Sequence, residues 1–303
     1  MGTNILADNN SVLGSGGSGD SKSGKKNAFY TKEGEFLGYD DKNEDKVYIS
    51  TKGNYEYSLG ITGGSDNKPN YDSLRKNATE LNISHSEFQN NTYLILHEGS
   101  CASNKTTLLW IAHTVNNALN NPKYNRRKRT FNQLIRTGYS SASAEEKKKL
   151  LAPTNISYLA NSARYGMIDV SLGNPDPTGN AYFWDGLDFI SNYGGKTTVL
   201  QHPKFNQYIR VEIPRNTIEA MITFWEIDSN RRCVNINSKI LYESFEIPDI
   251  PPEHNYQEND FGMILNNTEL FWGTRYEKLR PNATENLKST DVHGGTIFWT
   301  TYK

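Results

Sequence analysis

Residues 84–99 read Ser84-His85-Ser86-Glu87-Phe88-Gln89-Asn90-Asn91-Thr92-Tyr93-Leu94-Ile95-Leu96-His97-Glu98-Gly99. Ser84 and Glu87 stand three apart, the spacing at which a serine hydroxyl and an acid satisfy the orphan amides at a helix start. Ile83 and Phe88 flank them at the staple positions. The stretch therefore predicts a helix from about Ser84 to Glu98, with Gly99 as the left-handed residue that ends it. On that helix Glu98 shares a face with Leu94, Ile95 and Asn91 at i−4, i−3 and i−7, and Phe88 lies further along the stripe. The carboxylate is thus expected on the core-facing side, at the negative end of the helix dipole. Both conditions raise a carboxyl pKa. An acid that stays protonated near neutral pH can donate a proton to a leaving group. A surface glutamate on a fraying last turn is the competing reading of the same residues.

Helical periodicity recurs downstream. Leu108, Ile111, Ala112, Val115 and Leu119 give an apolar stripe over about Lys105–Asn120, with Pro122 just beyond. Ser143–Glu146 caps a short helix before Pro153, and another helix runs from about Asn155 to Leu172. Residues 27–50 alternate around Glu33-Gly34 and Asp40-Asp41, as a small hairpin does. Residues 50–70 read as loop. Tyr208–Ile213 and the final Gly-Gly-Thr-Ile-Phe-Trp-Thr-Thr-Tyr-Lys read as strands, Asn216–Ile227 as a helix, and Pro248–Pro252 as a loop. The expected fold is mainly α within the α+β class, with strands added in the C-terminal part. Residues 1–26 form a Gly/Ser leader, 27–70 a hairpin and loop segment, and 71–303 the main domain with an insertion around 196–290.

The stretch Asn174-Pro-Asp-Pro-Thr-Gly-Asn-Ala-Tyr-Phe-Trp184 joins a stiff polar turn to three aromatics. Asp176 and Thr178 can bond nearby amides, and Gly179 permits a tight turn. Tyr182, Phe183 and Trp184 then suit either a sugar-binding cleft or a rigid loop that packs aromatics into the core. The residues alone leave both readings open.

Together these stretches resemble the spore-cortex and cell-wall hydrolases of the SleB/CwlJ type. That family has a helix ending in Gly-Glu-Ala-Arg, a second of the form Val-Ala-x-Val-x-x-Asn-Arg, a loop Asp-Pro-Thr-Gly-Gly-Ala-x-Tyr-Tyr, and a closing strand Gly-Asn-His-x-Phe-Tyr. The counterparts here are His97-Glu98-Gly99-Ser100, Ile111-Ala-His-Thr-Val-Asn-Asn117, Asp176-Pro-Thr-Gly-Asn-Ala-Tyr-Phe183 and Gly294-Gly-Thr-Ile-Phe-Trp299. The resemblance spans roughly residues 75–303. His97, Ser100 and Asn117 replace the family's usual residues, and about a hundred residues separate the third motif from the last strand. These departures mark a divergent branch with an insertion.

The resemblance implies a lysozyme-like domain that cleaves peptidoglycan glycan strands, as a lytic transglycosylase or muramidase. The catalytic acid and base is then Glu98, and Tyr182, Phe183, Trp184, Thr178 and Asn116 bind substrate. A second carboxylate would come from Asp169, Asp176, Asp185 or Asp188. None has an identifying context, and Asp176 reads better as a turn-former. The alternative is a non-catalytic wall-binding protein that retains the fold.

Composition narrows the remaining classes. A net charge of −1 over 303 residues gives no overall pull toward nucleic acid or membrane. Hydrophobic residues make up 35% and aromatics 12%, which indicates a polar, loop-rich globular chain. No apolar run reaches the length of a membrane span. Cys101 and Cys233 are too few for a disulfide framework or a zinc site, and no His-Asn signature supports Cys101 as a nucleophile. The six histidines show no metal-binding spacing, so neither metal nor cofactor is expected. Arg126–Arg129 reads as a solvated basic loop. A wall-cutting motif behind a start without a signal-peptide core suggests delivery as a toxin or tail lysozyme by a contractile injection system, with an immunity partner in attendance.

Overall fold

The computed structural model describes residues 26–40, 42–61, 68–99, 105–136, 157–186, 208, 211, 212, 214, 217, 220, 284–293 and 296–303. These fall into two compact units. One takes the described residues of Leu6–Ser100 and Arg129–Pro175, the other those of Cys101–Lys128 and Asp176–Lys303. The expectations for Cys101, Cys233, Asp188, the Ser143–Glu146 helix, the Pro248–Pro252 loop and most of Asn216–Ile227 lie outside the described residues.

The first unit opens with β1 (Ala28–Tyr30) and β2 (Phe36–Tyr39), an antiparallel hairpin. Its turn is closed by Thr31 N–H to Glu35 O at 2.8 Å and Gly34 N–H to Thr31 O at 3.0 Å. β3 (Lys46–Ile49) pairs parallel with β1, and β4 (Thr79–Ser84) pairs antiparallel with β3. The sheet order is β2-β1-β3-β4, so the boundary expected after residue 70 runs through one sheet.

Adjacent residues of β1 face opposite sides of that sheet, as strand geometry requires. Phe29 packs on one side against Tyr48 and Leu74, with centroids of Phe29 and Tyr48 5.0 Å apart. Two helices, α1 (Lys52–Ile61) and α2 (Tyr71–Lys76), supply Tyr55, Tyr71 and Leu74 to that cluster. The loop expected over residues 50–70 is therefore corrected to a helix at α1. Its Tyr55 packs on the cluster over the sheet, a tertiary contact that local periodicity does not register.

Tyr30 faces the other side and meets Phe88 at 5.1 Å and Phe36 at 5.4 Å. Phe88 belongs to α3 (His85–Gly99). Glu87 N–H donates to Ser84 Oγ at 3.1 Å, as the cap predicts, and the Asp45 carboxylate accepts from Ser86 N–H and Oγ. Gly99 is the last residue of α3 rather than the one beyond it. Two further helices, α5 (Phe131–Arg136) and α6 (Tyr158–Ser171), pack on α3. Ser157 caps α6, accepting from Ala160 N–H at 3.3 Å, and Ala160, Ala163, Met167 and Ile168 are buried.

The second unit holds α4 (Lys105–Asn120), β5 (Phe183–Gly186), β6 (Val211–Glu212), β7 (Asn286–His293) and β8 (Thr296–Tyr302). The sheet order is β5-β8-β7-β6, with β6 parallel to β7 and the other pairs antiparallel. The predicted α4 stripe is buried at Leu108, Ile111, Ala112 and Val115. Trp110 of the same helix meets Phe298 of β8 at 5.1 Å. Helices and strands thus combine as α+β. The strands are not confined to the C-terminal part, because β1–β4 build a whole sheet near the start. Among the described residues no helix is long and apolar enough to cross a membrane.

Gly34 sits at φ +90°, and a Cβ built there would lie 2.1 Å from Asn161 O. Gly34→Ala should therefore destabilise the protein by about 2–4 kcal/mol, through both the strained φ and the clash with α6. Urea unfolding would show a lower midpoint at unchanged slope.

Candidate active site

Glu98 lies in the first unit, on the last turn of α3 and partly buried. Its face neighbours Asn91, Leu94 and Ile95 are at most 8% exposed, and Thr92, Tyr93 and Leu96 are buried too, so this part of the helix is enclosed all round. Among the described residues no hydrogen bond or ion pair engages its carboxylate. Burial pushes its pKa up to about 8. The shift follows mainly from burial, which disfavours the charged form. The imidazole of His97 stacks on Tyr93 at 6.1 Å, one turn back along α3.

The second unit brings the second and third motifs together. Asn117 of α4 donates through Nδ2 to Asp176 Oδ2 at 2.9 Å, Thr178 Oγ1 at 3.1 Å and Ala181 O at 3.1 Å. The Asp176 carboxylate also accepts from Thr178 N–H, Thr178 Oγ1 and Asn180 N–H. These bonds outweigh burial and hold the Asp176 carboxyl below the usual range. Asp176 is the turn-former that its place between two prolines suggested. Asn117, noted in the sequence only as a substitution, is the side chain that fastens this turn to the helix.

The substrate-binding expectations fare unevenly. Thr178 is fully buried, donates to Asp176 and accepts from Ala181 N–H. The expected glycan contact is corrected to a scaffold role, since its hydroxyl is committed inside the loop. Phe183 and Trp184 are 7% and 5% exposed, on β5 opposite Trp299 and Phe298 of β8. Successive strand residues point to opposite faces, so these two cannot line one wall together. Their aromatics pack into the core, which is the other reading of the loop. Tyr182 is half-buried, with its ring 4.6 Å from Tyr124. Tyr124, in the turn after Pro122, has no sequence signature and was missed. Asn116 is half-buried on α4 and accepts from Asn120 Nδ2 at 3.2 Å.

The other carboxylates are engaged or enclosed. Asp169 accepts from Asn174 Nδ2 at 2.6 Å at the end of α6, and Asp185 of β5 is 1% exposed. Arg126, Arg127 and Lys128 are exposed. Among the described residues no cluster of His, Cys, Asp and Glu could hold a metal ion. No family model, curated protein or solved structure matches the chain.

Two measurements probe this arrangement. Asn117→Ala should cost about 1–3 kcal/mol, since it takes the donor from the Ala181 carbonyl and one of the two donors from Asp176 Oδ2. Thermal unfolding reads that loss. Glu98 is raised from an ordinary value of 4.5 to about 8. The unfolded chain therefore releases its proton at lower pH than the folded one, and wild-type stability falls as pH rises across that interval. Glu98→Gln removes this term, so its melting temperature relative to wild type should climb between pH 5 and pH 8. A constant difference would contradict the assigned environment.

Proposed function

We propose that this protein cleaves the glycan strands of peptidoglycan through a lysozyme-like domain, with Glu98 as general acid and then base. The observation that carries this reading is the Glu98 carboxyl itself, partly buried on the core-facing side of the last turn of α3 and held to about 8. Such an acid is protonated at neutral pH and delivers its proton to the glycosidic oxygen as the bond breaks. The resulting carboxylate then takes a proton from the sugar's 6-hydroxyl, whose oxygen closes on the anomeric carbon as a 1,6-anhydro ring. The same base could instead activate water, as a muramidase does.

Single-acid chemistry suits the carboxylates at hand. Asp176 and Asp169 are committed to hydrogen bonds and Asp185 is enclosed, so none stands ready as nucleophile or base. Tyr182 and Asn116, the other residues expected to bind glycan, are half-buried in the second unit. A second reading, a non-catalytic wall-binding protein, is favoured by the burial of Phe183 and Trp184, which a working cleft would present. Either protein would act at the wall, and carriage by a contractile injection particle with an immunity partner fits the wall-cutting motif.

Incubation with purified sacculi followed by mass spectrometry separates the readings. Wild type should release anhydro-muropeptides or new reducing ends, and Glu98→Gln should lower that rate by about a hundredfold or more. Activity should decline as pH rises through about 8, where Glu98 loses its proton. Intact glycan with wild-type protein bound to it would establish the binding protein instead.

A further inference from the structure

Arg164 of α6 is 4% exposed, yet no carboxylate among the described residues pairs with it. Its single hydrogen bond runs from Nη1 to Asn161 Oδ1 at 2.8 Å, one turn earlier on the same helix. Its guanidinium lies 5.8 Å from the centre of the Tyr30 ring. Arg75 of the same unit, half-buried, behaves differently: it is paired with both Asp40 and Asp72. A buried cation without a counter-ion is costly, and proteins ordinarily supply a carboxylate. Asn161 engages Nη1, and among the described residues Nε and Nη2 have no acceptor.

The groups that act on the Arg164 charge are the phenols of Tyr30 and Tyr39. Tyr39 is near enough to act on its charge. Tyr39 accepts a hydrogen bond from Gln89, and its own O–H is bonded to no acceptor among the described residues. Lys26, exposed, places its ammonium 5.8 Å from the centre of the Tyr39 ring. Tyr39 and Gln89 are half-buried, so this side opens toward solvent through them. His85, hydrogen-bonded to the Tyr30 hydroxyl at 2.9 Å, is held by burial at about 4 and stays neutral. Asp45, the acid that acts on His85, is occupied in capping α3.

We propose that Arg164, Tyr39 and Lys26 form a binding site for a small oxyanion, a carboxylate or a phosphate group, on the side of the first sheet where α3 and α6 pack. A planar guanidinium with two uncommitted edges takes such a group in a fork of parallel hydrogen bonds. The Tyr39 hydroxyl adds a third donor, and Lys26 draws the anion in from solvent. The site is independent of Glu98 and of the glycan-cleaving reading.

The test is a thermal-shift and calorimetric titration of the full chain with sodium acetate and sodium phosphate, at constant ionic strength set with sodium chloride. A saturable rise in melting temperature above the chloride baseline is expected. Response to acetate alone identifies a carboxylate site, and response to phosphate alone a phosphate site. Arg164→Met should abolish the saturable response. In chloride it should melt no lower than wild type, because it removes an unpaired buried charge. Tyr39→Phe, which keeps the ring, should weaken binding by about tenfold. If Arg164→Met does not fold, the wild-type and Tyr39→Phe titrations decide. No saturable response to either anion in wild type overturns the proposal, as does an Arg164→Met response equal to wild type.

Discussion

A buried polar group needs a partner, and much of this structure follows from where those partners come from. Asn27 is fully buried and donates to Asp40 and Glu44, while its own carbonyl accepts from Lys46 N–H. One side chain thereby fixes the connection from β2 to β3. Asp40 in turn meets Arg75 of α2, which ties the helix layer to the sheet. On the other face, Tyr30 and His85 satisfy one another across the junction of β1 and α3. In the second unit the same requirement draws Asp176, Thr178 and Asn117 into one knot. Such bonds add little net stability one by one, but leaving any of them unmade is expensive.

Against that background Glu98 and Arg164 stand apart. Each is an ionisable side chain held away from water, and neither has the opposite charge beside it among the described residues. The two respond differently. A carboxyl can escape the cost by keeping its proton, and Glu98 does so at neutral pH. A guanidinium has no such escape, because its proton is effectively permanent. The first condition suits proton donation, and the second suits capture of an anion from outside. Departures from a rule obeyed elsewhere in a fold are where function is expected.

Much of the helical framework was legible in the sequence. Ser84, Glu87 and the apolar spacing of residues 88–99 gave α3 to within a residue at each end, and the stripe from Leu108 to Val115 gave α4. The hairpin turn at Gly34 and the final strand were also readable. The helix α1 was not, because Tyr55 and its neighbours earn their order from the sheet beneath rather than from an apolar period. Nor was the extent of the first sheet. Its strands are three to six residues long, too short for an alternating period to stand out, and β1 is buried on both faces.

The candidate site divides in the same way. The sequence by itself placed Glu98 on the core-facing stripe and Asp176 in a turn, since both depend on spacing within a few residues. Only the tertiary structure decided that Thr178 is spent inside its loop, that Phe183 and Trp184 turn to opposite faces of a sheet, and that Asn117 binds the loop across about sixty residues. It alone showed Arg164 enclosed without a carboxylate partner among the described residues. The physical reason is one of range. Helical phase and capping are set by neighbours along the chain, whereas desolvation and partner choice are set by whatever distant segments close over a side chain.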